Sequence, residues 1–142
     1  MQRRKAREYA LKILYMIDIR KEPPQKIIEE FWKNVDEKNE EVKKFANEIV
    51  NGVIEKLNEI DKIISNVSLN WEIERMSYID RNILRIGTYE IYYRNDIPKV
   101  VSINEGIEIS KKYGDEDSPK FVNGILHKIK ENFENKGGKD EV

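Results

Sequence analysis

The residues of this 142-residue chain that could bind a charged ligand are concentrated at its N-terminus. Four cations lie close together there: Arg3, Arg4, Lys5 and Arg7. Apolar spacing predicts that they open a helix, at the end where cations oppose the macrodipole, so stability alone does not explain them. Tyr15 and Leu11 are predicted near Arg4, away from the apolar stripe. Cations bind phosphates and a ring can stack on a base, so nucleic-acid binding is weighed here against a solvated charge run.

A second candidate group lies near the start of the last predicted helix. Phe121 falls off the apolar stripe of that helix and is flanked by Lys120 and Asn123. An exposed ring in this setting suits base stacking and hydrogen bonding, although packing against another helix suits it equally. The acids at positions 115–117 precede the helix, where the macrodipole favours them, so capping explains them without a ligand.

Composition excludes several classes of function. The chain has no Cys and a single His, His127, so it has no disulfide, no thiolate zinc site and no imidazole cluster for a metal. It has no nucleophile elbow, glycine-rich phosphate loop or recognisable carboxylate pair, so we expect a protein that is not an enzyme and uses no cofactor. No apolar run approaches the roughly 18–20 residues of a membrane span, and we expect a cytoplasmic protein.

Apolar periodicity predicts an all-α fold of two packed helical bundles, with about six to seven helices. A single domain is expected over residues 1–133, with an N-terminal subdomain over about residues 1–66 and a C-terminal subdomain over about residues 69–133. Residues 134–142 are predicted to form a polar, flexible tail, and Trp71 to anchor the connector between the subdomains. The predicted helices span residues 3–20, 25–35, 40–65, 78–94, 102–113 and 119–133.

The central helix of this series carries the clearest structural prediction. Ser77 with Asp80 is predicted to form a capping box at its start, and Ser102 with Glu105 to begin the next helix in the same way. The central helix is apolar on nearly all sides, which predicts that neighbouring helices bury it. Its charged residues must then be paired with one another or used by a partner, and Arg85 is expected to pair with Glu90 or with acids of another helix.

Four stretches form a series between Arg3 and about Ile129: RRKAREYALKILY, YIDRNILRIGTYEI after Trp71, DIPKVVSINEGIEISKKYG, and SPKFVNGIL. In order and spacing they resemble the motifs of the NusB family of bacterial transcription antitermination factors. The resemblance covers most of the chain, and its last two motifs are the more specific ones. It implies the same all-helical fold that the periodicity predicts.

The resemblance also implies a function. It implies an RNA-binding adaptor that joins NusE, a small-subunit ribosomal protein, on single-stranded boxA-type RNA of nascent ribosomal RNA transcripts. That complex acts indirectly, helping RNA polymerase to read through terminators. By motif position, RNA contacts are implied for Arg3, Arg4, Lys5, Arg7, Tyr15, Lys120 and Phe121. A NusE interface is implied at or near Glu74, Asp80 and Asp117.

Two other interpretations stay open. The chain could be a structural module that forms a homodimer and hides its basic face, whereas the NusB-like interpretation expects a monomer or weak homodimer. It could also be the RNA-binding domain of an rRNA cytosine methyltransferase, because such enzymes carry a NusB-like domain. The sequence ends without a methyltransferase portion, which favours a stand-alone factor. Gly87, Gly106 and Ser110 stand where the family usually has Ala, and they should still permit close helix packing.

Overall fold

The computed structural model describes residues 2–69 and 71–137. This part of the chain contains seven α-helices, one 3₁₀ turn at Ile73–Arg75 and no strand, so the predicted all-α class is confirmed. None of the described helices is both long and apolar enough to cross a membrane. The helices are α1 (Arg3–Arg20), α2 (Pro24–Asn34), α3 (Glu40–Glu55), α4 (Leu57–Val67), α5 (Tyr78–Tyr93), α6 (Lys99–Tyr113) and α7 (Ser118–Asn135).

Most of the other helices pack around α5. It contacts α1, α3, α4, α6 and α7, which confirms that neighbours bury the central helix. Its side chains Ile83, Leu84 and Ile91 are fully buried, and each contributes about 1.5–3 kcal/mol to folding. Ser77 caps the helix as predicted, because its hydroxyl accepts a hydrogen bond from the Asp80 backbone N–H at 3.0 Å. α1 also packs with α2 and α3, and α6 packs with α7, so α5 is shared by two groups of helices.

The prediction of a single long helix over residues 40–65 is wrong, because the structure has two helices there, α3 and α4. Lys56, at φ −106° and ψ 17°, separates α3 from α4. Gly52, one turn earlier, lies directly under the Tyr89 ring, where the Cβ of any larger residue would overlap ring atoms. This close approach requires glycine, which lowers helix stability by about 1 kcal/mol relative to alanine. After the break, α4 packs against α5 and α7.

The start of α6 also differs from the prediction. The helix begins at Lys99, directly after Pro98 and one turn before the predicted capping box. Pro98 is the N-cap of α6, where its fixed φ suits the turn into the helix and its missing N–H costs no helical hydrogen bond. Ser102 and Glu105 therefore lie inside the helix, and both side chains bond to other helices. Gly114 follows the last residue of α6, as predicted.

The connector before α5 is anchored by residues other than the one predicted. Trp71 is 52% exposed, and its ring meets the ring of Phe121 edge-on with centroids 5.8 Å apart. The buried anchors are Ile73, in the 3₁₀ turn, and Met76. The prediction for Trp71 is therefore wrong, and its ring belongs to the surface.

The last helix is longer than predicted at both ends. It begins at Ser118, one residue before the predicted start, and continues to Asn135. The Ser118 hydroxyl accepts a hydrogen bond from the Asp115 backbone N–H at 3.0 Å, which fixes the loop before the helix. Residues 138–142 of the predicted polar tail lie outside the described residues, and the division into subdomains remains an interpretation.

Candidate nucleic-acid interface

The basic cluster occupies the first turns of α1, and two of its exposed cations are paired with acids. The Arg4 guanidinium donates from Nε and Nη2 to the Glu105 carboxylate at 3.0 and 2.7 Å. The Lys5 ammonium lies 2.8 Å from a carboxylate oxygen of Glu37. Both cations are about half exposed, whereas both acids are mostly buried. The folded chain therefore neutralises much of the charge that the sequence places here.

Arg7 of the basic cluster lies in the core, and Leu11 is buried as well, so the prediction that Leu11 lies with Arg4 away from the apolar stripe is wrong. It is only 2% exposed and donates from Nε and Nη2 to the buried Glu90 carboxylate at 2.7 and 2.9 Å. The Ser102 hydroxyl donates to the same carboxylate at 2.7 Å. Both α1 residues are buried because α1 packs against α2, α3, α5 and α6, which cover more of it than one apolar stripe. Arg7 thus fixes α1 to α5 and α6 beneath the exposed cations.

An arginine that the sequence reasoning missed lies beside the cluster. The Arg3 guanidinium lies 4.6 Å from the centroid of the Phe45 ring, and the Arg94 guanidinium lies 5.3 Å from the same centroid. Arg94 is also paired with Asp96 at 2.8 Å and with Glu48 at 3.5 Å. No local pattern signals this position, because the mutual packing of α1, α3 and α5 brings Arg94, at the end of α5, close to Arg3.

Tyr15 packs against a residue of α5. Its ring meets the ring of Tyr78 edge-on, with centroids 6.0 Å apart. These two side chains and Ile19, one turn further along α1, are 37%, 42% and 45% exposed respectively. We call Tyr15, Ile19 and Tyr78 the apolar patch. Tyr78 is the first residue of α5, so the patch lies at the helix end that carries Asp80.

A polar network beneath the apolar patch fixes its two helices to each other. The Asn82 amide donates to Asp18 at 2.8 Å and to the Tyr78 carbonyl at 2.9 Å. The buried Arg85 guanidinium donates to Asp18 of α1, at 3.0 Å, and to Asp61 of α4, at 2.8 and 2.9 Å. This confirms the expectation that Arg85 pairs with acids of other helices. The network places Tyr15 and Tyr78 in one defined arrangement.

The acids at the start of α5 and before α7 line an open groove of about 430 Å³. Asp80, Asp115 and Asp117 come together there, and burial raises the pKa of Asp80. The rings of Trp71 and Phe121 form the apolar part of the lining. In residues 2–69 and 71–137, no group of acids or histidines could hold a metal ion. The groove therefore combines three acidic side chains and one cation, Arg75, with the exposed ring of Trp71 and the partly buried ring of Phe121.

Two further predicted site residues lie next to this groove. Lys120 is exposed on the first turn of α7, directly before Phe121. Glu74 is exposed in the 3₁₀ turn, where its carbonyl accepts a hydrogen bond from Arg81 at 3.1 Å. The structure thus brings Asp80, Asp117 and Phe121 to one groove and places Lys120 and Glu74 on the elements that border it.

Glu37 couples the start of α1 to the loop before α3 in a pH-dependent way. Its carboxylate lies close to the Lys5 ammonium, and it also accepts hydrogen bonds from the Asn39 N–H at 3.0 Å and the Tyr9 hydroxyl at 2.8 Å. These bonds, that of Lys5 foremost, lower its pKa from the ordinary 4.5 to about 2. The ionised form is therefore favoured by folding, and its contribution to stability is lost as the pH falls from about 4.5 to about 2.

We expect Glu37→Gln to weaken the acid dependence of stability. The free energy of unfolding, measured in urea, should fall less between about pH 5 and about pH 3 in this variant than in the wild-type chain. Equal falls in the two proteins would mean that the Lys5–Glu37 pair makes no contribution.

The chain has cations at the start of α1, an exposed apolar patch and an acidic groove. These features define an all-helical binding module with one surface suited to an anionic ligand and another suited to a cationic ligand. The chain belongs to the NusB family, whose family model matches residues 4–131. It is similar to the transcription antitermination protein NusB of Thermodesulfovibrio yellowstonii. The two are 50% identical over an alignment of 139 residues, and the match covers 91% of each chain.

Solved structures of the same family share the fold. NusB from T. maritima matches with a TM-score of 0.84 and 41% identity, and the match covers 92% of each chain. A crystal structure of antitermination factors NusB and NusE in complex with dsRNA contains a chain that matches with a TM-score of 0.85 and 31% identity. That match covers 93% of this chain and 99% of the other. The helical fold of this chain is therefore that of NusB proteins.

Proposed function

We propose that this chain is a transcription antitermination factor, an RNA-binding adaptor that joins NusE on single-stranded boxA-type RNA of nascent ribosomal RNA transcripts. The observation that carries the proposal is membership of the NusB family over residues 4–131. Likeness to a NusB chain crystallised with NusE and dsRNA supports it. We infer that the protein works in the cytoplasm without catalysing a reaction and influences RNA polymerase only through the complex.

The proposed RNA-binding face combines cations with one aromatic ring: Arg3, Arg4, Lys5, Lys120 and Phe121. Phosphate contacts position an RNA strand without reading its sequence, whereas stacking and base-edge hydrogen bonds discriminate between bases. We propose that Arg3, Arg4 and Lys5 have the first role and that the ring of Phe121 has the second. Arg7 supports this face from the core through its ion pair with Glu90.

The proposed NusE-binding face consists of the apolar patch and the acids beside it: Tyr15, Ile19, Tyr78, Glu74, Asp80 and Asp117. Exposed apolar side chains that lie together are typical of protein interfaces. We assign Tyr15 to this face instead of the RNA-binding face because it forms one exposed apolar patch with Tyr78 and Ile19. The neighbouring carboxylates suit a basic partner and would guide its association.

The double variant Ile19→Ala with Asp117→Lys tests the NusE-binding face. We expect it to weaken NusE binding at least about tenfold, because it removes apolar contact area and reverses a complementary charge. Binding of RNA alone should not weaken, because Asp117→Lys adds positive charge beside Lys120 and Phe121. Isothermal titration calorimetry with purified NusE measures the first quantity, and fluorescence anisotropy with labelled RNA measures the second.

A matched control alters the same residue types elsewhere. Val100, an exposed apolar residue of α6, is replaced by Ala, and Glu131, an exposed acid of α7, by Lys. Equal NusE affinities of the two double variants would remove the apolar patch and Asp117 from the interface.

A homodimer built on the patch is the second candidate, favoured by the same exposed side chains. Sedimentation of a tight dimer that NusE does not dissociate would support that alternative.

A further inference from the structure

The two carboxylates that hold exposed cations of α1 each have a second hydrogen-bond donor or cation nearby. Glu105 also faces the buried Arg7, whose Nη1 lies 3.6 Å from Oε1. Glu37 also accepts hydrogen bonds from the Tyr9 hydroxyl and the Asn39 backbone N–H, at 2.8 and 3.0 Å. If Arg4 or Lys5 moved away, its acid would still have a partner. Opening either pair therefore does not leave an isolated charge in a mostly buried position.

The two members of each pair differ in freedom of movement. The side chains of Arg4 and Lys5 are 54% and 48% exposed on long flexible stems, whereas those of Glu105 and Glu37 are only 14% and 8% exposed. The acids are thus held by the packed helices, and the cations can swing outward. Exposed ion pairs contribute little to stability, so an anion of suitable geometry can take over the cation. A phosphate oxygen accepts the same Nε and Nη hydrogen bonds that the Glu105 carboxylate accepts.

We propose that Glu105 and Glu37 set the RNA affinity of this chain, because each carboxylate holds a cation that an RNA phosphate must take over. This inference depends on the RNA-binding function proposed above. The group that replaces the carboxylates is the phosphodiester of the strand, so the competition does not depend on base sequence. In the RNA-free chain the exposed cluster attracts polyanions weakly, and binding has to exchange one anionic partner for another.

Glu105→Gln tests this exchange, since it removes the negative charge and keeps the size of the side chain. We expect about fivefold tighter binding of a labelled single-stranded boxA RNA, measured by fluorescence anisotropy at fixed salt concentration. A scrambled RNA should gain the same factor, because phosphate contacts carry no sequence information. Glu37→Gln, which releases Lys5, should act in the same direction.

Glu108→Gln is the matched control on α6. Glu108 lies close enough to Arg4 to contribute to its raised pKa, but it pairs with Lys111 at 3.0 Å. This control removes the same charge without releasing Arg4, so we expect at most about a twofold gain in RNA affinity. In an Arg4→Ala background, Glu105→Gln should likewise change RNA affinity less than about twofold, because no guanidinium remains to be released.

Three results would overturn the exchange. The first is an equal gain in RNA affinity from Glu105→Gln and Glu108→Gln, and the second is an undiminished gain from Glu105→Gln in the Arg4→Ala background. Either result would mean that the carboxylate acts on RNA only through long-range electrostatic repulsion. Weaker RNA binding by Glu105→Gln would instead make Glu105 a residue that positions Arg4. Failure of the proposed function has a different signature: Arg4→Ala alone would then leave RNA binding unchanged.

Discussion

Replacing Arg7 with alanine should lower the free energy of unfolding by about 3–5 kcal/mol, because it leaves the Glu90 carboxylate buried without its cation. The side chains of Arg7 and Glu90 are 3% and 1% exposed, so the pair is shielded from bulk water in the folded chain. Thermal unfolding followed by circular dichroism should show a midpoint lower by on the order of 10 °C. Urea unfolding gives the free energy directly.

The matched control for this prediction is Arg4→Ala, three residues earlier on the same helix. Its ion pair with Glu105 is largely exposed on the arginine side, so its loss should cost at most about 1 kcal/mol. Replacing Arg7 and Glu90 together by methionine should recover much of the stability, because no unpaired charge is then buried. A similar, small loss in Arg7→Ala and Arg4→Ala would contradict the assignment of Arg7 to the core.

Reversing the charges of Arg3 and Arg4 to glutamate should weaken binding of single-stranded boxA RNA at least about tenfold at low salt. Four cations are available on the proposed face: Arg3, Arg4, Lys5 and Lys120. At about −0.7 per phosphate, the slope of log affinity against log salt should be about −3 for the wild-type chain and about −1.5 for the variant. Fluorescence anisotropy titrations at several salt concentrations measure both quantities.

The same charge change elsewhere is the control for this variant. Lys33 of α2 and Lys62 of α4 are both exposed, and their replacement by glutamate alters the net charge equally. We expect a small loss of RNA affinity and an unchanged salt slope for this control, since neither lysine belongs to the proposed face. Indistinguishable RNA affinities of the two double variants would show that only net charge matters.

Apolar spacing predicts most of the helices because a buried helix repeats its apolar residues with its own period. α1 and α5 are the clearest cases, and the Ser77 cap of α5 is readable because capping is local. The break at Lys56 is not readable, since it accompanies the contact of Tyr89 with Gly52, which are far apart in the chain. The capping box predicted at Ser102 fails because Pro98 starts α6 one turn earlier.

The candidate site was harder to predict than the helices. A helical projection assigns an angle to Arg7 but does not say how many neighbours surround α1, and those neighbours bury it against Glu90. The pairing of Arg4 with Glu105 and the packing of Tyr15 against Tyr78 are likewise contacts between distant segments. The pairing of Arg85 could be predicted because it rests on a general rule, that a buried charge needs a partner. The individual RNA and NusE contacts rest on motif resemblance and stay predictions.

The most direct test of the adaptor function is a fluorescence anisotropy titration of labelled single-stranded boxA RNA and a scrambled RNA, each with and without purified NusE. We expect this chain to bind boxA more tightly than the scrambled strand, and NusE to strengthen boxA binding further. Equal and weak binding of both RNAs, unaffected by NusE, would contradict the account. The cations of α1 would then be a charged surface without a specific RNA ligand.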